Sequence, residues 1–447
     1  MSDVTKESTR NMAQAHHIIV VGGGAAGLEL ATRLGNKLGR KHLADITLID
    51  SSRTHIWKPL LHEVAAGTLD SSEDELEYLA QARWNHFRYR LGRVIGLDRE
   101  RKEVLLAPTL SDEGDEIIPE RRFSYDTLVF AVGSLSNDFG IRGVQQHCFF
   151  LDSTGQADRF QKNLLNSMLK AHTQGKPIEP GQLDVAIVGA GATGVELAAQ
   201  LHHVTRLVSA YGLDTIDPAE DIRLHVIEAG PQILPALPPR LSNAAMHELD
   251  LLGVTVHLNQ RVVEVNAQGI VSASGVTIPA AIKVWAAGIK APEFLKDIAG
   301  LETNRINQLV VKRNLQCTRD ENIFAIGDCA ACPMDELGNN VPPRAQAAHQ
   351  QAATLSRTLA RRLKGRPPLD YSYRDYGSLV ALGRYSTVGS LMGGLAGSMM
   401  VSGFIARFVY LMLYKMHQAA LYGWPRALLI TLLHFLRRGI DPQVKLH

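Results

Sequence analysis

Cysteine is scarce in this 447-residue chain, which has four: Cys148, Cys317, Cys329 and Cys332. So few exclude a disulfide framework and suit a reducing compartment. Neither sign of charge dominates: 47 Lys and Arg stand against 45 Asp and Glu, a net +2 that leaves no electrostatic footprint for nucleic acid. Long apolar runs are missing too. No stretch reaches the roughly 18 apolar residues that a membrane-spanning helix needs, and the nearest approach, near the C-terminus, is interrupted by Arg407, Lys415, Gln418 and Arg426. The opening MSDVTKESTRNMAQA has no apolar core, so it does not read as a secretory signal and is expected to be a flexible leader over residues 1–15. The chain is too long for one core, and two or three domains are expected.

What is present is a repeat. HHIIVVGGGAAGLELATRL (16–34) is a short apolar strand, a glycine turn and a helix-forming run, and LDVAIVGAGATGVELAAQL (183–201) repeats it. Each is followed by a strand with an acidic end, ADITLID with Asp50 and IRLHVIEA with Glu228. YDTLVFAVGS (125–134), AIKVWAAGIKAP (281–292) and NIFAIGDCA (322–330) are further strands running into small residues. These signals predict an α/β chain with two Rossmann-like dinucleotide-binding domains, the second inserted into the first. The expected boundaries are 16–150 and 291–384 for a FAD-binding domain, 151–290 for an NADH-binding domain, and 385–447 for a C-terminal amphipathic helical region that associates with a membrane.

Gly22, Gly24 and Gly27 form G-x-G-x-x-G between strand and helix. The first glycine permits the tight turn, the second lets backbone approach a pyrophosphate, and the third lets helix and strand pack closely. The helix start offers amides and partial positive charge to the phosphates, and Asp50 is placed to hold ribose hydroxyls. Gly189, Gly191 and Gly194 repeat this geometry with Glu228, whose carboxylate favours a free 2′-hydroxyl over a 2′-phosphate, hence NADH over NADPH. The loop YGLDTIDPAEDIR lengthens the spacing to Glu228. Two dinucleotide sites, one for non-covalent FAD and one for exchanging NADH, imply hydride transfer onto a flavin. The paired fingerprints, the AVG and AAG strand ends and IFAIGD resemble the two-dinucleotide-binding flavoprotein oxidoreductases, in which the aspartate of the GD motif, here Asp328, contacts FAD.

The electron acceptor is the open question. A disulfide reductase needs a redox pair after the first fingerprint or in the NAD domain, and residues 28–147 and 149–316 contain no cysteine. Cys329 and Cys332 form a C-x-x-C, but it follows Asp328, and without Cys or His partners nearby it makes a poor zinc site, so no metal is expected. On a helical wheel SGFIARFVYLMLYKMHQAA puts Ile405, Val409, Met412, Met416 and Ala420 on one face with Arg407 and Gln418 opposite. ALLITLLHFLRR sets Leu428, Leu429, Leu432, Leu433 and Leu436 against Thr431, His434 and Arg438. Two such helices suit an in-plane membrane anchor, or packing on the body, or a dimer interface. The aromatics Phe404, Phe408, Tyr410, Tyr414, Tyr422 and Trp424 favour the membrane.

A flavoprotein on a bilayer has a quinone dissolved beside it as an acceptor, and a quinone site should be narrow and apolar with a few neutral donors. PPRAQAAHQQ (342–351) fits: prolines open the helix, alanines leave room, and Gln346 and Gln350 share a face. Its glutamines could equally face solvent. A soluble NADH-dependent flavoprotein reductase of a small redox protein is the alternative, which would have no need of the tail.

From Ile18 to His447 the chain resembles the bacterial type II NADH dehydrogenases, single-subunit NADH:quinone oxidoreductases that do not pump protons. HIWKPLLHEVAAGTLD, TGVELAAQLH, ILPALPPRLS, VWAAGIKAPEFLKDIAGLETNRINQLVV, AIGDCAACP and PPRAQAAHQ carry the resemblance. It implies that Ala345, Gln346, His349 and Gln350 line a quinone site, with Gln346 also near FAD. It further implies that Lys58, Ala131 and Gly133 contact FAD and that Ala287 and Gly288 contact NADH. Glu196, of TGVE, would lie near nicotinamide and flavin, although a glutamate in a first helical turn can simply answer the helix dipole. The family also implies a peripheral place on the cytoplasmic face of the bacterial inner membrane and allows a homodimer. The long loop before Glu228 and the polar N-terminus depart from the pattern.

Overall fold

IIVV (18–21), TLVF (127–130), VAIV (185–188) and IKVW (282–285) lack polar alternation, the pattern of strands covered on both faces. In the computed structural model all four lie in parallel sheets and are buried. The structure describes residues 15–70, 75–111, 113–382, 386–393, 397–402, 412, 415–416 and 418–437.

The chain divides into two compact units. The first takes the described residues of 15–53, 77–133 and 293–372. Its five-stranded parallel sheet has the spatial order Ile323–Ala325, Thr127–Phe130, His16–Val21, Ala44–Asp50, Arg88–Leu91. The winding therefore reverses between His16–Val21 and Thr127–Phe130, where the carboxyl ends of the strands leave a crevice for a ligand.

The second unit takes 54–76, 134–292 and the described residues from 373 onward. Its sheet runs Phe149–Phe150, Ile282–Trp285, Val185–Val188, Leu224–Ile227, Thr255–His257, with the same reversal between Val185–Val188 and Ile282–Trp285. The repeat extends further than the sequence showed. In each unit a three-stranded antiparallel sheet precedes the parallel strand beyond the reversal, Thr127–Phe130 or Ile282–Trp285: Val94–Asp98, Glu103–Leu106 and Arg121–Ser124 in the first, Val262–Val265, Gly269–Ser272 and Thr277–Pro279 in the second.

The division differs from the expected boundaries in three places: residues 54–76, 134–150 and the described residues from 373 onward all fall in the second unit. Residues 54–76 group with the second unit, because the Leu61–Ala66 helix packs on the Thr154–Thr173 and Ala192–Ala210 helices and shares their core through Leu61, Val64, Phe160 and Leu197. Packing between helices distant in sequence outweighs chain order.

The glycine-rich stretch after residue 376, expected to lead into helices, is a sheet of three antiparallel strands, Gly377–Leu382, Ser386–Gly393 and Gly397–Ser402. A helix follows over Trp424–Arg437. Of the residues assigned to the two amphipathic helices, Phe404, Ile405, Arg407, Phe408, Val409, Tyr410, Tyr414 and Arg438 lie outside the described residues, as does the leader before residue 15. No helix among the described residues is long and apolar enough to cross a membrane.

Candidate functional site

The first glycine turn is built as its sequence requires. Gly22 sits at φ +98°, and a Cβ there would meet the carbonyl oxygen of Ala131 at 2.5 Å. A Cβ on Gly27 would meet the Gly22 carbonyl oxygen at 1.8 Å, so only glycine lets helix and strand approach this closely. Above Gly24 nothing lies within 4 Å. Gly24 caps the Ala25–Lys37 helix without a side-chain hydrogen bond, and no acidic residue occupies the first turn. The first amides of this helix therefore face open space with their dipole uncompensated.

Asp50 closes the turn from the next strand. Its Oδ2 accepts from the Gly23 amide at 2.6 Å and its Oδ1 from the Ser52 amide at 2.7 Å. Burial pushes its carboxyl up, and these amide bonds oppose that. Tyr78, absent from the sequence reading, is buried and donates its hydroxyl to the Gly23 carbonyl at 2.8 Å. Gly133, at φ +69°, also borders open space.

The second turn copies the first bond for bond. The Gly22 amide donates to Ile49 at 2.8 Å and the Gly189 amide to Ile227 at 2.8 Å, while Ala131 donates to Val21 at 2.7 Å and Ala286 to Val188 at 2.8 Å. Gly189 is at φ +104° against the Ala286 and Ala287 backbone at 2.8 Å, Gly194 would meet the Gly189 oxygen at 2.0 Å, and Gly191 is open. Glu228 Oε2 accepts from the Ala190 amide at 2.9 Å and its Oε1 from Gly230 at 2.8 Å, so the long loop before it leaves Glu228 in the place of Asp50. Each turn thus combines an open glycine, uncapped amides and a carboxylate, a donor set that fits the pyrophosphate and ribose of a dinucleotide.

In the first unit the Ala345–Arg362 helix packs against Ala25–Lys37 and against the Gly327–Cys329 turn. Ala347 and Ala348 are buried, whereas Ala345, Gln346, His349 and Gln350 are half-buried. A third glutamine, passed over in the sequence, does structural work. Gln351 is buried, and its Oε1 accepts from the Gly327 amide at 2.6 Å, fixing the turn that carries Asp328. Gln308 Nε2 donates to the Asp328 carbonyl at 2.8 Å. His349 Nδ1 lies 2.7 Å from Oε2 of Glu29, a fully buried residue whose Oε1 accepts from Arg33 Nε at 2.6 Å.

Several expected site residues lie in the second unit. Glu196 is buried in the first turns of the Ala192–Ala210 helix, its Oε2 3.6 Å from Nδ1 of buried His62. Burial brings the His62 imidazole down to about 4, and its Nε2 has no hydrogen-bond partner among the described residues. Lys58 donates to the Ser134 carbonyl at 2.6 Å and reaches Asp152 Oδ1 at 3.3 Å, an acid that also accepts from the Ser136 amide. Gly288 is at φ +64°, and a Cβ there would strike the Phe139 ring at 2.3 Å.

The four cysteines are free thiols. Burial pushes the Cys148, Cys329 and Cys332 thiols up to about 12 and raises Cys317 as well. Cys329 and Cys332 of the C-x-x-C are both buried, and Cys329 Sγ donates to the Ile326 carbonyl at 3.3 Å. No cluster of metal-binding side chains occurs among the described residues. The Trp424–Arg437 helix buries Ala427 and exposes Leu428, Leu429, Leu432 and Leu433, Leu428 by 64% and Leu432 by 56%. Before it, Met416 is exposed and Gln418 is buried, accepting from Lys415 at 2.8 Å.

Comparison with known proteins follows the same lines. A model of the pyridine nucleotide-disulphide oxidoreductase family matches residues 16–352. The chain is 44% identical over 444 residues to a type II NADH:quinone oxidoreductase of Haemophilus influenzae, covering 96% of this chain and 100% of that one. To a type II NADH:quinone oxidoreductase of Staphylococcus aureus it is 29% identical over 381 residues, 84% of this chain and 90% of the other. The solved structure of NDH2 from Plasmodium falciparum in complex with NADH superposes with a TM-score of 0.80 at 20% identity, over 97% of this chain and 100% of that one.

Proposed function

We propose that this chain, which belongs to the pyridine nucleotide-disulphide oxidoreductase family and within it to the type II NADH:quinone oxidoreductases, oxidises NADH and reduces a membrane quinone through non-covalently bound FAD, without pumping protons. Bound FAD supplies a two-electron relay, taking hydride from NADH and releasing both electrons to quinone. The observation that carries this reading is the doubled glycine turn, with the same backbone bonds and a carboxylate at the same place in both units.

The residues divide the work. Gly22, Gly24, Gly27 and the amides opening the Ala25–Lys37 helix hold the pyrophosphate of FAD, and Asp50 holds a ribose hydroxyl. Asp328, Ala131, Gly133 and Lys58 complete its contacts, with Gln346 beside it. Gly189, Gly191, Gly194 and Glu228 do the same for NADH, Ala287 and Gly288 meet its nicotinamide end, and Glu196 stands near the reacting groups. Ala345, Gln346, His349 and Gln350 line the quinone site, where side-chain amides donate to the two carbonyls and the alanines admit a flat ring.

Exposed leucines on the Trp424–Arg437 helix support docking on a bilayer surface, because so continuous an apolar face is costly to leave in water. NADH is cytoplasmic, so the enzyme sits on the cytoplasmic face of the inner membrane. A homodimer rests on the family likeness alone, and sedimentation of the detergent-solubilised protein decides it. The function itself is tested by NADH oxidation with a short-chain quinone as acceptor. Turnover that needs both FAD and quinone is expected, and turnover with a small iron–sulfur protein but not with quinone rejects the reading.

A further inference from the structure

Glu29 and Glu196 occupy the same place in the repeat. Each stands two residues after the third glycine, so both fingerprints read G-x-G-x-x-G-x-E. Both are buried, and each meets a histidine from another helix: Glu29 meets His349 at 2.7 Å, and Glu196 meets His62 at 3.6 Å. The two pairs differ in setting. His62 is as buried as its partner, while His349 keeps 39% of its side chain exposed against a Glu29 with none. A carboxylate with no exposure needs every oxygen answered, and Arg33 on Oε1 with His349 on Oε2 does this.

The bond to Glu29 fixes the imidazole. With Nδ1 donating to the carboxylate, the proton that can be given up is the one on Nε2. His349 lies three residues after Gln346, so the two are neighbours on one side of the helix. Reduction of a quinone by NADH consumes one proton beyond the hydride, in NADH + H⁺ + Q → NAD⁺ + QH₂. The hydride accounts for both electrons and one hydrogen, and the second hydrogen must be delivered to a quinone oxygen.

Resting on the quinone reading of this helix, we propose that His349 delivers that proton and that Glu29 is its positioning residue. The Nε2–H bond of His349 breaks as the O–H bond of the quinol forms, and solvent, reaching the exposed side of the ring, replaces the proton. The charged side chains on the elements packed against this helix are Glu29, Arg33 and Lys37 on Ala25–Lys37 and Asp328 on the Gly327–Cys329 turn. Of these, the structure bonds Glu29 to the ring. Glu29 holds the ring in one orientation.

The test compares quinone with ferricyanide, which takes electrons and no proton, in the FAD-loaded enzyme. His349→Asn keeps a donor for Glu29 and cannot titrate. The ratio of quinone to ferricyanide turnover is expected to fall about 100-fold, as for loss of a general acid. Glu29→Gln keeps one acceptor and puts an amide N–H where the second oxygen stood, so the ring loses its fixed orientation and the ratio of quinone to ferricyanide turnover is expected to fall, and Glu29→Asp to restore it. A ¹⁵N-histidine spectrum of the neutral ring, recorded at alkaline pH with His349→Asn to identify the signal, is expected to show its one remaining proton on Nδ1, the form left after Nε2 has given up its own. An unchanged turnover ratio in either variant, or a neutral ring whose one proton is on Nε2, overturns the dyad. Absence of quinone turnover in the unsubstituted protein overturns the reading beneath it instead.

Discussion

Asp50 and Glu228 make the same hydrogen bond in two different units: each accepts the amide of the residue after the first fingerprint glycine, at 2.6 Å from Gly23 and 2.9 Å from Ala190. A carboxylate pinned in this way is preorganised before any ribose arrives. Glu228 is therefore the place to test nucleotide choice. Glu228→Gln keeps an acceptor for one of the two amides and removes the charge that repels a 2′-phosphate. The ratio of kcat/KM for NADH to that for NADPH is expected to fall about tenfold, near 1.4 kcal/mol. Steady-state rates with both nucleotides check it, and an unchanged ratio removes Glu228 from nucleotide discrimination.

Gly24 and Gly27 separate cofactor space from packing space. Nothing lies within 4 Å of a Cβ on Gly24, so Gly24→Ala is expected to keep the fold within about 1 kcal/mol while lowering FAD content. Gly27→Ala drives a methyl into the Gly22 carbonyl and is expected to cost about 1–3 kcal/mol or more of stability. Bound flavin per chain and the denaturation midpoint distinguish the two. Equal effects of both substitutions on stability contradict the assignment.

His62 gives the fold an acid-sensitive element. Its neutral form is held to about 4 when folded against 6.5 when free, so the unfolded chain takes up a proton first as the pH falls. The stabilising contribution is complete above 6.5 and is lost on acidification toward 4, a loss on the order of a few kcal/mol. His62→Leu removes the titration, and its denaturant midpoint is expected to fall less than that of the unsubstituted protein between neutral pH and pH 5. Parallel midpoint curves contradict this.

The leucine face of the Trp424–Arg437 helix should act on location and not on folding. Leu428→Glu with Leu432→Glu places charge on exposed positions, so the thermal midpoint is expected to hold while liposome flotation is lost. Flotation equal to that of the unsubstituted protein removes this helix from membrane binding.

Much of this was legible in the sequence because its signals are local. The glycine fingerprints, the acidic strand ends and the strands without polar alternation each declare themselves within a few residues. Long-range packing was not legible. Residues 54–76 join the second unit through Leu61 and Val64, and Gln351 holds the Asp328 turn from 24 positions away. The wheel gave Gln346 and Gln350 a shared face but could not say that Ala347, Ala348 and Gln351 would be the buried side. Glu29 had a signal that went unread, its equivalence with Glu196 in the repeat. The glycine-rich stretch after residue 376 carries no clear two-residue alternation, which hid its strands.

The central claim is that NADH and quinone are handled by different residues of one chain. Anaerobic stopped-flow absorbance of the flavin, with NADH added first and a short-chain quinone second, measures the two steps separately. In the unsubstituted enzyme, rapid bleaching and rapid recovery are expected. With Gln346→Leu and Gln350→Leu, bleaching is expected to keep its rate and recovery to slow by about tenfold or more, for loss of two hydrogen bonds in a desolvated site. Bleaching without recovery in the unsubstituted enzyme, or equal slowing of both steps in the variant, contradicts the account.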